Sequence, residues 1–257
     1  MRILRVELVR CLHRRLLWIL AFAAVIGCLL TLVLTLVNVK DTDPINLVDL
    51  WPPRDQGDPV LLIAITIAIL GALVFGSSMV GAEWKSGTVP TLLTWESRRV
   101  RVAVTKIAAP AIVAAVLALV LEALFAASLL PVIVSKGSTA GTDSKFWRAL
   151  SGGTLRGSAV IAMAGALGAL IALVARTTSA ATGIAFLYLN LVEGFLRGFV
   201  KSSRSWLLTD NAVVFLTGHR LEHGQVGHST LQAGLTLAAY TIGLTALATS
   251  VFRRRDL

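Results

Sequence analysis

Apolar residues in this chain come in long, almost unbroken runs rather than at the spacing of a half-buried helix or strand. The runs extend from Leu16 to Val37, Val60 to Val80, Ile107 to Leu130, Leu155 to Ala175, Ser179 to Leu196 and Leu231 to Phe252. Each is close to the roughly 20 residues a helix needs to cross the apolar layer of a bilayer. The pattern predicts an all-α, polytopic membrane protein, with the 257 residues forming one transmembrane domain of six helices. Two boundaries are less sharply drawn: the fourth run starts beside Arg156, and the fifth is interrupted by Asn190 and Glu193. Ahead of the first run, Leu4, Leu8, Cys11 and Leu12 form a row, with Glu7, Arg10 and Arg14 expected on another face. That arrangement predicts an interfacial entry helix. Within the runs, Ala72 and Gly76, Ser77 and Gly81, Ala164 and Gly168, and Gly165 and Ala169 are small residues four apart, which lets helix backbones approach closely.

Composition agrees with the runs: 56% of residues are hydrophobic, 15% are charged, and the mean hydropathy is +0.78, outside the range of a soluble domain. Charge then sets orientation. With the N-terminus inside, the inner segments hold 14 of the 24 Lys and Arg residues, while Asp41, Asp43, Asp49, Asp55 and Asp58 crowd the first outer loop. Both termini are expected in the cytoplasm. The net charge of +10 then faces mostly anionic lipid headgroups, and nucleic acid is not needed to explain it. Arg outnumbers Lys by 18 to 6, which points only to a GC-rich bacterial genome, and a bacterial inner membrane is the expected location. The box Val25-Ile26-Gly27-Cys28 resembles a lipoprotein cleavage site, but the apolar run continues past Cys28, which predicts an uncleaved first span. Cys11 and Cys28 lie too far apart along a helical path to form a disulfide.

The most informative stretch is a polar island between the second and third runs, Glu83-Trp84-Lys85-Ser86-Gly87-Thr88-Val89-Pro90-Thr91-Leu92-Leu93-Thr94-Trp95-Glu96-Ser97-Arg98-Arg99, continuing to Lys106. Gly87 breaks the chain, Thr88 is a candidate N-cap, and Pro90 suits a first helical turn. Leu92, Leu93 and Trp95 would give a short helix an apolar face outside the membrane. Ser97 is a candidate cap for the following span, whose first turns carry Arg98, Arg99, Arg101 and Lys106.

In Glu83, Gly87, Thr88, Leu92, Leu93, Ser97, Arg98 and Lys106, placed between the second and third spans, the sequence resembles the type-2 permeases of ATP-binding-cassette transporters. Glu96 stands where that family commonly has Pro, and Pro90 is not a usual residue there. The resemblance implies that the island is a coupling helix docking on a separate P-loop ATPase, with Glu83, Gly87, Thr88, Leu92, Leu93, Trp95, Arg98 and Arg99 as the coupling residues. It also implies two ATPase copies and a second permease copy, identical or homologous. The chain has no Gly-x-x-x-x-Gly-Lys-Ser/Thr loop, so ATP and Mg are expected on the partner, with no cofactor on this chain and no enzymatic activity of its own.

Charges inside spans are costly and so mark candidate functional positions. Glu122 lies past the middle of the third span, with protonation, pairing to Arg156 and substrate contact as its open readings. Glu193 lies near the outer end of the fifth, with either an i, i+4 ion pair to Arg197 or a place on the translocation path or outer gate beside Asn190. The segment 197–230 is expected to form a re-entrant or interfacial hairpin over the outer mouth, with Phe215 on it and Thr209-Asp210-Asn211 as its polar turn. His219-Arg220-Leu221-Glu222-His223, with His228 beyond, matches a His-x-x-Glu-His pattern, but the loop is too short to build a protease around it and is expected to be solvated, with no metal.

Together these observations predict an exporter subunit that moves an amphipathic or hydrophobic solute, such as a drug, peptide or lipid-like molecule, outward. The rivals are a proton-coupled secondary transporter using Glu122 or Glu193, and a membrane scaffold without transport. Orientation is checked by cysteine accessibility in whole cells: Asp49→Cys is expected to react with an impermeant thiol reagent and Ser86→Cys is not. Labelling of Ser86→Cys from outside would overturn the orientation.

Overall fold

The computed structural model describes all residues except 1, 39–44, 47–58, 97, 139–142, 219–228 and 255–257. The acidic first outer loop, Ser97 and the His-x-x-Glu-His segment therefore lie outside the described residues. Helix α1 (Arg2–Leu12) meets α2 (Arg15–Asn38) at a 53° bend. The chain continues through α3 (Pro59–Lys85), α4 (Thr88–Trp95), α5 (Arg99–Lys136) and α6 (Ser144–Ala175). It then forms α7 (Thr178–Leu187), a π turn (Tyr188–Val192), α8 (Glu193–Phe199), a 3₁₀ turn (Lys201–Trp206), α9 (Leu208–Thr217) and α10 (Thr230–Arg254). The one strand pairing among the described residues is two residues long, β1 (Ile45–Asn46) against β2 (Gly137–Ser138) in parallel.

Among the described residues five helical stretches are long and apolar enough to cross a membrane, or six if the bent α1–α2 pair is one span. They overlap the apolar runs, but α5 and α6 start earlier, at Arg99 and Ser144 rather than Ile107 and Leu155, and α3 and α5 end later, at Lys85 and Lys136 rather than Val80 and Leu130. Continuous hydrophobicity marks only the lipid-crossing part of a helix, whereas backbone hydrogen bonding carries the helix on into water. At the α1–α2 break, the Trp18 indole donates to the Leu12 carbonyl at 2.9 Å and satisfies one of the exposed carbonyls of α1.

The broadest helix contact is between α3 and α6. The small residues make it possible: a Cβ built on Gly76 would run into the carbonyl oxygen of Gly165, and one on Gly168 into the carbonyl oxygen of Leu73. Gly165 also lies against α5, where an added Cβ would sit 3.3 Å from both the Ala114 methyl and the Pro110 carbonyl oxygen. Gly81 meets α7 in the same way at Thr178. Leu73, Ala164, Ala169, Ala172 and Leu173 are buried along this seam. In a membrane, where lipid is as apolar as Leu, such contacts act through van der Waals packing rather than through expulsion of water.

Gly76→Ala and Gly168→Ala are each expected to force the α3 and α6 backbones apart and to cost on the order of 1–3 kcal/mol. Gly183→Ala and Gly243→Ala, with no atom within 4 Å of the added Cβ, should stay within about 0.5 kcal/mol of the parent. Thermal unfolding of the purified protein in detergent distinguishes the two groups.

Candidate functional site

Six segments converge at one end of the bundle: α1, the end of α3, α4, the start of α5, the α6–α7 junction and the end of α10. α4 starts after a sharp reversal in which Gly87 takes a left-handed conformation (φ 71°) and occupies the N-cap position. The expectation that Thr88 caps this helix is therefore corrected. Thr88 is the first helical residue, its hydroxyl lies 2.8 Å from that of Ser86, and the cap position needs the positive φ that glycine adopts without strain. Pro90 falls in the first turn, where its missing N–H leaves no bond unmade. At the other end the Glu96 carboxylate accepts from the Arg98 backbone N–H at 3.3 Å.

One face of α4 is turned into the protein. Val89 is fully buried and belongs with Val80, Ala103, Ile107 and Phe252 to the main core, and Leu93, one turn on, packs against the same cluster. Leu93 therefore stabilises the protein itself and is not presented outward beside Trp95. Pro90, Thr91 and Thr94 are exposed, Leu92 is half-buried, and Trp95 is 87% exposed. A short helix with two apolar faces has to choose which one to bury, and the Val89–Leu93 pair (i, i+4) matches the bundle. The Val89–Leu93 spacing is visible in the sequence, although Val89 is not among the candidate coupling residues there.

Behind α4, Trp84 meets Phe252 edge-on, with 6.2 Å between ring centroids, and the Arg176 guanidinium lies 4.8 Å from the Trp84 ring centroid. Arg176 ends α6 in a left-handed conformation (φ 62°), and its N–H donates to the Ala172 carbonyl at 2.8 Å. A position that usually takes glycine is held here by a side chain stacked on an aromatic ring. The Arg99 guanidinium donates to the Arg253 carbonyl at 3.4 Å, tying the start of α5 to the end of α10. Arg98 is exposed.

Glu83 does not point toward α4. It is buried with Glu7 and Lys106 at the meeting of α1, α3 and α5. The Lys106 ammonium donates to Glu7 at 3.0 Å and to Glu83, and the Arg10 guanidinium approaches the two carboxylates at 3.6 and 3.5 Å. Glu7 thus lies on the inward face of α1 with Leu4, Leu8 and Cys11, not on the face opposite them, while Leu12 is 49% exposed. Positions 4, 7, 8 and 11 are the i, i+3, i+4, i+7 set of a single helix face, so the spacing carried this information. Burial, with Glu7 and Glu83 nearby, pushes the Cys11 thiol up to about 12, so at neutral pH it is an uncharged packing group.

At the other end, Glu193 is fully buried, and its carboxylate accepts from the backbone N–H groups of Leu208 at 2.9 Å and Thr209 at 3.1 Å and from the Thr209 hydroxyl. It satisfies the free donors at the start of α9, where the helix dipole also favours a negative group. Of the two readings of Glu193, the i, i+4 ion pair with Arg197 is not formed: Arg197 donates instead to Asp210 at 2.7 Å and to the Thr209 hydroxyl at 2.9 Å. Asn190 lies within the π turn and Glu193 directly follows it. The π geometry accommodates one more residue per turn, so Glu193 turns inward while Asn190 stays exposed, its amide donating to the Phe186 carbonyl at 3.0 Å. Thr209, Asp210 and Asn211 are not the tip of a hairpin; they form the first turn of α9, after an extended break at Leu207. The Asn211 amide donates to the carbonyls of Ser205 and Leu207, at 2.9 and 2.8 Å, and secures that break. Phe215 packs on Gly234 of α10. Glu122 lies on the α5–α6 seam, where its Oε1 would be 2.7 Å from a Cβ on Gly157, and no Glu122–Arg156 ion pair occurs among the described residues. Among the described residues no group of three or more His, Cys, Asp and Glu could hold a metal ion.

No curated protein and no solved structure matches the chain. A family model described as ABC-2 family transporter protein matches residues 3–191, which takes in α1, the buried charge cluster, α4 and the bundle as far as the π turn. With well over half of its length matched, this multi-pass membrane chain belongs to the ABC-2 family of transporter membrane proteins.

Proposed function

We propose that this chain is the permease subunit of an exporter powered by a separate P-loop ATPase, and that α4 is its coupling helix. The observation that carries the reading is the two-sided character of α4. Val89 and Leu93 fasten it to the bundle, while Trp95, with Thr91 and Thr94 beside it, faces away from the protein. A large exposed aromatic flanked by small polar residues on a rigid helix has the make-up of an interface anchor. Arg98, exposed one residue beyond the described turn, suits a charge-assisted contact at the rim. The convergence of α1, α4, the α6–α7 junction and the α10 end at one pole agrees with a cytoplasmic location for both termini in a bacterial inner membrane.

A second permease copy completes the assembly in this reading. The fifth span leaves Ile184, Phe186, Leu187, Leu191 and Phe195 exposed together with polar Asn190, and no atom lies within 4 Å of where a Cβ would stand at Gly183 or Gly194. A polar amide on a lipid-facing span is unfavourable, and a partner copy across this face would shelter it and enclose an apolar path for an amphipathic or hydrophobic solute. Glu193 and Arg197 hold α9 over the outer end and serve as the outer closure. Two ATPase copies, with their ATP and Mg, would drive the pair by alternating access.

The test compares Trp95→Ala with Leu93→Ala after reconstitution with the cognate ATPase. Trp95→Ala is expected to weaken co-purification and coupled transport by about 2 kcal/mol of binding, with the permease as stable as the parent. Leu93→Ala is expected to lower permease stability by a similar amount. Full coupled transport by Trp95→Ala at limiting ATPase concentration would contradict the assignment of α4.

A further inference from the structure

The buried charges at the α1–α3–α5 junction do more than neutralise one another. Lys106 is 2% exposed, Glu7 4% and Glu83 6%, so three ionisable side chains leave water at a place where apolar packing would have filled the space more cheaply. Around them lies a small cleft lined by Cys11, Met79, Val80, Ala109 and Pro110. Their geometry is a shared bond: a single ammonium on α5 holds a carboxylate from α1 and another from α3, and Arg10, 43% exposed at its side chain, bridges the same two carboxylates from the outer side. Glu83 is at the end of α3, five residues before α4 begins at Thr88, and Lys106 is two turns into the helix that follows α4. The charges therefore close the base of the α3–α4–α5 hairpin, and Glu7 is the group that brings α1 into it.

Apolar contacts of α1 permit sliding, because Leu4, Leu8 and Cys11 meet Leu17, Phe75, Met79, Ala109 and Val113 through non-directional packing. Charged hydrogen bonds among buried partners do not, since a displacement of either helix leaves an uncompensated charge in a low-dielectric site. We propose that Glu7 is a positioning residue for coupling: through Lys106 and Glu83 it fixes α1 to the base of the coupling helix, so that α1 and α4 move as one piece. The transport consequence rests on the reading of α4 given above, whereas the mechanical joint between α1 and α4 does not.

The test uses the full-length permease in lipid nanodiscs with spin labels at Val9 and Thr91, both exposed, one on α1 and one on α4. A single narrow distance distribution is expected for the parent and for Leu8→Ala, which trims the apolar packing of the same α1 face. Glu7→Gln, which keeps the shape and removes the charge, should broaden the distribution at least twofold. In the complex with the ATPase, Glu7→Gln should also lower solute moved per ATP hydrolysed at least fivefold, while Leu8→Ala does not. An unchanged distribution for Glu7→Gln, or equal broadening by Leu8→Ala, would overturn the proposal. If the parent complex shows no ATP-driven transport, the coupling-helix reading fails by itself, and the distance measurement still decides the joint. Should Glu7→Gln not reach the membrane, Glu7→Asp, which keeps the charge but shortens its reach to Lys106, carries the same distance readout: broadening supports the joint and an unchanged distribution refutes it.

Discussion

Close backbone approach between α3 and α6 is the constraint on which the other features depend. Glycine at positions 76, 165 and 168 allows carbonyl oxygens to sit where side chains would otherwise stand, and α5 and α7 are drawn onto the same pair through Gly165 and Gly81. A seam of this kind has no compliant layer of long side chains, so α3 and α6 behave as a slab. The two polar ends are built on that slab: α4 continues from the end of α3, and α6 passes at its end into the Arg176 turn stacked on Trp84.

Each end solves its electrostatic problem differently. At the α4 end, one ammonium and two carboxylates from three helices are buried against one another, with Arg10 at their exposed flank. At the opposite end, Glu193 is matched to the backbone N–H groups of a helix start and Arg197 to Asp210, so neither of these two charges depends on a distant helix. The first arrangement is sensitive to relative movement of helices. The second joins α8 to α9 within one stretch of chain.

The membrane-crossing helices were legible because a bilayer demands long apolar runs, and their ends were not, because hydropathy is silent once a helix leaves the lipid. The small-residue pairs on α3 and α6 announced a close seam. Glu7 and Val89 were legible from helical spacing, but a carboxylate in an apolar row and an unremarked valine are easily outweighed by the bulkier Leu and Trp signals. For Glu193 the i, i+4 spacing to Arg197 fits the regular α8 that holds both residues, but it does not show that the carboxylate turns inward to the backbone N–H groups that start α9 or that Arg197 turns to Asp210. The α9 cap and the Trp84–Arg176–Phe252 stack join residues far apart in sequence, and no local pattern encodes them.

The central claim is that α4 moves as one body with the α3–α6 slab and is not an independent hinged loop. The most direct measurement is the distance within one chain between spin labels at Thr94 on α4 and Ser151 on α6, both exposed, in the assembled transporter with labelled chains diluted among unlabelled ones. It is made with and without trapped ATP. The same narrow distribution is expected in both states. A shift of several ångströms within the chain on ATP trapping, with the fold otherwise unaltered, would contradict it.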